Sequence, residues 1–108
     1  VFAERDGRTV GYACYGPIAG TVASYDFYWI AVEAGLRGAG IGSLLMRAVE
    51  ERIAAAGGRR VYVETSSREQ YIPTRAFYER HGYHAEATLQ DFYAPGDGKV
   101  IYAKRLDA

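Results

Sequence analysis

Seven residues, Arg37-Gly38-Ala39-Gly40-Ile41-Gly42-Ser43, constrain this chain more than any others. They stand between an aromatic, β-branched stretch from Tyr25 to Glu33, which reads as a central strand, and an amphipathic stretch that begins at Ile41. In the latter, Ile41, Leu44, Leu45, Ala48, Val49, Arg52 and Ile53 follow helical spacing, Arg47, Glu50 and Glu51 take the opposite face, and Gly57-Gly58 closes the helix. The chain must therefore turn from strand to helix through alternate glycines. Small residues let the backbone approach a ligand, and the first helical N–H groups have no partners within the helix. Those donors and the positive helix end suit a pyrophosphate. A tight turn without a ligand is the plainer alternative, but three alternate glycines exceed what a turn needs.

A Walker loop is excluded, because Ile41 follows Gly40 and no Lys-Ser or Lys-Thr follows the glycines. A dinucleotide fingerprint would use Gly38 and Gly40, then meets Ser43 in place of its third glycine. Glu64 lies about twenty residues on, where a ribose-binding acid belongs, so a dinucleotide-binding domain stays as an alternative. Too few strand–helix units follow to complete such a fold.

The remaining elements come from turn chemistry and periodicity. Val1 to Arg5 and Thr9 to Tyr15 flank Asp6-Gly7, a preferred hairpin turn. Arg60 to Glu64 reads as a short buried strand and Thr65 to Tyr71 as a polar loop. Thr74 to His81 forms a second helix after Pro73, closed by Gly82. Tyr83 to Phe92 and Val100 to Arg105 pair around the turn Pro95-Gly96-Asp97-Gly98. The predicted order is β-β-β-α-β-α-β-β: one mixed α/β domain over residues 1–108, with parallel pairing where helices connect strands. The pattern starts abruptly at Val1, which predicts further residues upstream.

Charge narrows the partners. Thirteen basic residues balance thirteen acidic ones, so no net field holds the chain to nucleic acid or an anionic membrane. No apolar run approaches the roughly 20 residues that span a bilayer. Cys14 is the only cysteine, which fits a reducing cytoplasm and a small core residue. His81 and His84 flank a helix stop without partner ligands, so no metal site is expected. Phe27, Tyr28 and Trp29 are expected to cover the sheet, one face being free to line a pocket, and Arg59, Arg60, Arg68 and Arg75 read as solvated charge. Strand edges and ten tyrosines are suited to a homodimer.

The run from Val32 to Gly42 resembles the signature of the GNAT acyltransferase superfamily, Arg/Gln-x-x-Gly-x-Gly/Ala, with Arg37, Gly40 and Gly42 in register. The later run Phe77-Tyr78…Gly82-Tyr83 is similar to that family's second signature. The resemblance covers the chain from the second strand onward, and the family's first strand and first two helices have no counterpart. It implies a GNAT-like fold and N-acetyl transfer from acetyl-CoA, as cosubstrate, to a small-molecule or peptide amine by direct attack. A non-catalytic acyl-CoA-binding module remains the other option. The resemblance implies a V-shaped opening between the Tyr25–Glu33 and Arg60–Glu64 strands. There the backbone of Ile30, Ala31 and Val32 holds the pantetheine arm, and the residues Arg37, Gly38, Ala39, Gly40, Ile41, Gly42 and Ser43 form the pyrophosphate turn. Tyr78 matches the acid that protonates the leaving thiolate and Glu64 the base; Glu33, which ends the neighbouring strand, is the other candidate base, directly or through a water. Ala34 replaces a common proline, and Tyr71 stands about where related enzymes have an asparagine. The loop before it is longer than theirs, which points to a different acceptor pocket.

Overall fold

The structure, a computed structural model, describes residues 1–36 and 38–106. Six strands, β1 (Phe2–Arg5), β2 (Arg8–Pro17), β3 (Ser24–Val32), β4 (Arg60–Ser66), β5 (His84–Ala94) and β6 (Asp97–Arg105), form one sheet ordered β1-β2-β3-β4-β6-β5. Helix α1 (Ile41–Ala55) links β3 to β4, and α2 (Ile72–Arg80) links β4 to β5. The predicted element order and the mixed α/β class hold.

Parallel pairing follows α1 only. β3 and β4 are parallel neighbours. After α2, however, β6 is inserted between β4 and β5, and it is antiparallel to both. The expectation of parallel neighbours across each helix fails there, because the β5–β6 hairpin folds back onto β4. A doubly wound dinucleotide fold needs a run of parallel strands, and among the described residues this sheet has a single parallel pair.

Both helices cover one face. Leu45, Met46, Val49 and Ile53 of α1 and Tyr78 of α2 share a cluster with Ala13, Phe27, Val61, Val63, Val100 and Tyr102. In β4 the side chains alternate from Arg60 to Thr65: Val61 and Val63 are buried in the helix-side cluster, Thr65 is buried, and Glu64 is exposed on the other side; Ser66 at the strand end is buried as well. β3 departs from this rule. Cys14 pairs with Trp29 and Tyr15 with Phe27, leaving Tyr28 as an extra, bulged residue. The bulge reverses the alternation, so Tyr25, Phe27, Ile30 and Val32 all join the helix-side cluster while Tyr28 and Trp29 stay exposed. Cys14 is half-buried rather than a core residue, because its neighbour Ala13 takes the core side of β2.

Several boundaries move. Thr65 and Ser66 extend β4 because they pair with Val100 and Lys99, a partnership that a polar loop sequence does not announce. A short 3-10 turn at Glu69–Tyr71 precedes α2, which starts at Ile72. The last turn tightens to Pro95-Gly96, with Gly96 at φ +77°. Gly98 belongs to β6, where a Cβ would lie 2.9 Å from the Leu89 carbonyl oxygen, so it is glycine for close strand approach. β3 ends at Val32, leaving Glu33 just beyond the strand.

Candidate functional site

The parallel ladder of β3 and β4 runs from Ser24–Arg60 to Phe27–Val63 and stops, although both strands continue. The bulge at Tyr28 begins where the pairing ends. Beyond that point the strands splay, and two cavities occupy the gap and its flanks.

The first cavity, about 680 Å³, is lined by Ile30, Ala31 and Val32 on one wall. Gly38, Gly40, Ile41, Gly42 and Ser43 form its end, and Pro73, Thr74, Phe77 and Arg80 the opposite wall. Gly38 and Gly40 have φ of +84° and +82°, the left-handed region that glycine enters without strain. Gly40 is the N-cap of α1 and no side chain among the described residues caps the helix, so the first-turn residues line the cavity end without a side-chain acceptor for their amides. No acidic residue occupies that first turn. Gly42 also faces α2: a Cβ there would stand 3.4 Å from the Phe77 ring, in ordinary contact, so there is room for a methyl and little more. Ala39 differs from its neighbours, since its amide donates to the Leu36 carbonyl (3.2 Å) and it does not line the cavity. Arg37 lies outside the described residues.

The second cavity, about 440 Å³, holds Tyr78 and Glu64 together with Tyr28, Trp29, Ser66, Tyr71 and Tyr93. Ile30 lines both cavities and marks their junction. The Tyr78 residue is 5% exposed, its ring set against Phe77, Tyr83 and Tyr102. Among the described residues no protein acceptor takes its hydroxyl and no fully buried polar side-chain atom lacks a partner, so the hydroxyl is the part that meets the cavity. Burial pushes its pKa above the ordinary tyrosine value, so it keeps its proton at neutral pH. Glu64 is half-exposed and pairs with Lys99 Nζ at 2.8 Å. Asp26, two residues before the bulge, has its carboxyl raised by partial burial and by the Glu64 charge, with Lys99 opposing.

The sequence-derived candidates thus divide. Tyr78 and Glu64 share one cavity, and the Ile30–Val32 segment and the glycine turn share the other. Glu33 joins neither: its carboxylate accepts a 2.6 Å bond from Arg8, and both are exposed. Tyr28 and Trp29 line the second cavity, whereas Phe27 is core. Arg75 donates to the Ser66 and Arg68 carbonyls (2.7 and 3.0 Å), and Arg68 pairs with Asp97 at 3.2 Å, so two of the arginines read as solvated charge fasten the loop before α2.

Residues 1–85 match the family model of the GNAT acetyltransferase domain. The chain belongs to this acetyltransferase family. This GNAT chain is 31% identical to an uncharacterized N-acetyltransferase of Methanocaldococcus jannaschii, a match covering 95% of the chain and 64% of that protein. A crystal structure from Desulfovibrio desulfuricans, described as an acetyltransferase assigned to the GNAT family, is 46% identical with a TM-score of 0.95. That match covers 97% of this chain and 66% of the other. An aminoglycoside 6′-N-acetyltransferase solved with coenzyme A has a TM-score of 0.85 at 21% identity, covering 97% and 71%, a likeness of fold. The chain therefore spans just under two thirds of the first two of these relatives. No helix among the described residues is long and apolar enough to cross a membrane.

Some lining residues escaped the sequence reading. Pro73, Thr74, Phe77 and Arg80 recur at helical spacing along α2 and form one wall of the first cavity, a periodicity that was present in the sequence. The bond between Ser43 Oγ and His81 Nε2, 2.9 Å, joins residues 38 positions apart and left no local signal.

Proposed function

We propose that this GNAT domain transfers an acetyl group from acetyl-CoA to a primary amine by direct attack. The observation that carries the reading is the pair of cavities meeting at Ile30, one ending on uncapped helix amides and the other holding Tyr78 and Glu64. In this reading the donor lies in the first cavity. Its pantetheine arm runs along Ile30, Ala31 and Val32, and its pyrophosphate sits on the amides of Gly40 to Ser43. The thioester then reaches the junction, and the acceptor amine enters through the second cavity.

The chemistry follows from the protonation states. Glu64 takes a proton from the acceptor ammonium, directly or through a water, and the freed amine attacks the carbonyl carbon. As the C–S bond breaks, Tyr78, kept protonated by its raised pKa, gives its proton to the departing thiolate, and the surplus proton on the attacking nitrogen then restores the phenol as the amide forms. Glu33 has no part in this scheme, being held by Arg8 outside both cavities. The acceptor is a small-molecule or peptide amine. The sheet runs unbroken from Phe2 to Arg105, which supports reading residues 1–108 as one domain of this type.

Thermal unfolding with added ligand tests the proposal. Acetyl-CoA and coenzyme A should raise the melting temperature, since a ligand that binds only the folded state stabilises it. No shift at saturating coenzyme, with a shift by NAD, would reject it.

A further inference from the structure

We infer that His81 positions the Ser43 hydroxyl toward the donor's pyrophosphate, so that donor affinity rises when His81 takes up a proton. The inference rests on the coenzyme reading of the first cavity and adds a residue that does not line it.

Ser43 lies in the first turn of α1 and lines the cavity end, and its Oγ is 2.9 Å from Nε2 of His81, the C-cap of α2. A serine hydroxyl has one proton, so the partner decides which way it points. If the Nε2 lone pair accepts that proton, Ser43 turns oxygen lone pairs to the cavity, which repel a phosphate oxygen. If Nε2 carries a proton and donates to Oγ, the serine O–H is free to donate to the phosphate. Neutral histidine allows both arrangements, whereas the imidazolium allows only the second.

The surroundings set where this choice is made. The imidazole is half-buried and lies tilted against the Phe77 ring, 4.7 Å between centroids with 43° between the planes. Burial lowers its pKa most; Glu50 of α1 opposes this, and Lys104 of β6, Arg47 of α1 and Arg80 of α2 reinforce it. At neutral pH the ring is therefore uncharged and the hydroxyl direction is left to the tautomer. Acidification below the ordinary histidine value of 6.5 fixes the donating state. By linkage, bound donor must raise the proton affinity of His81 by the same factor.

Dephospho-coenzyme A is the suitable probe, because it lacks the 3′-phosphate that would itself titrate, while its pyrophosphate stays ionised. Its Kd should be measured by calorimetry from about pH 8 to about pH 5, the window in which histidine titrates. Affinity of the unmodified protein should rise at least about fivefold on acidification. His81→Gln, whose amide can donate at every pH, should bind well and lose the dependence. Ser43→Ala should also lose it, and adding His81→Gln to Ser43→Ala should change nothing further. A dependence that survives in either variant, or losses that multiply in the double variant, would overturn the role of His81. Binding of the unmodified protein without a pH trend would overturn it too and leave the coenzyme reading standing. An absence of binding at every pH would remove both.

Discussion

The ring of Phe77 rests so close to Gly42 that a Cβ on that glycine would lie 3.4 Å from its Cε1. This contact fixes the distance between α1 and α2, and with it the width of the first cavity, which both residues line. A single methyl fits at ordinary van der Waals distance, so Gly42→Ala should be tolerated. Gly42→Val should destabilise by about 1–3 kcal/mol through overpacking. Chemical denaturation of the two variants distinguishes them, and equal stability would refute the contact.

Glu50, farther along α1, ties that helix to the segment after α2 and to β6. Its carboxylate accepts from Tyr83 Oη at 2.8 Å and from Lys104 Nζ at 3.1 Å. Burial and then Glu50 push the Tyr83 pKa upward, so its phenol stays a donor. Glu50→Ala leaves a mostly buried ammonium and phenol without their acceptor and should cost about 2–4 kcal/mol. Tyr83→Phe removes a donor only and should cost less. The order of the two denaturation midpoints checks this.

Asp26 gives a pH dependence with a definite sign. Its carboxyl is raised in the folded state by partial burial and by Glu64. The folded chain thus holds the proton more tightly than the unfolded chain does. Stability is lost as pH rises from the ordinary value of 3.8 through the raised one. Asp26→Asn should therefore be more stable than the unmodified protein at neutral pH, and the advantage should vanish below that window. Melting temperatures of both proteins across the acid range provide the measurement; a constant difference would contradict the sign.

Tyr78→Phe tests the acid role. Turnover should fall at least about tenfold, because the departing thiolate loses its proton donor. Coenzyme binding should be unaffected, since Tyr78 does not line the first cavity. A rate equal to that of the unmodified enzyme, measured by thiol release, would remove Tyr78 from the mechanism.

Much of this was written in local sequence. The glycine turn from Gly38 to Gly42 announces a helix start because left-handed φ and missing side chains are properties of single residues. The apolar spacing from Ile41 to Ile53 announces the face that α1 buries, because periodicity requires no knowledge of a partner. The family resemblance was legible for the same reason, both motifs being short and contiguous. What local sequence withheld were the relations across the sheet. The insertion of β6 between β4 and β5 depends on which edge the hairpin joins. The bulge at Tyr28 depends on registration against β2. Glu33 and Glu64 look alike as acids at strand ends. Only the fold gives one to Arg8 and the other to the cavity beside Tyr78. Sequence determined which pieces form, because backbone conformation and amphipathic pattern are local energies. Tertiary structure decided where the ladder of β3 and β4 opens, because that depends on pairings between residues far apart in the chain.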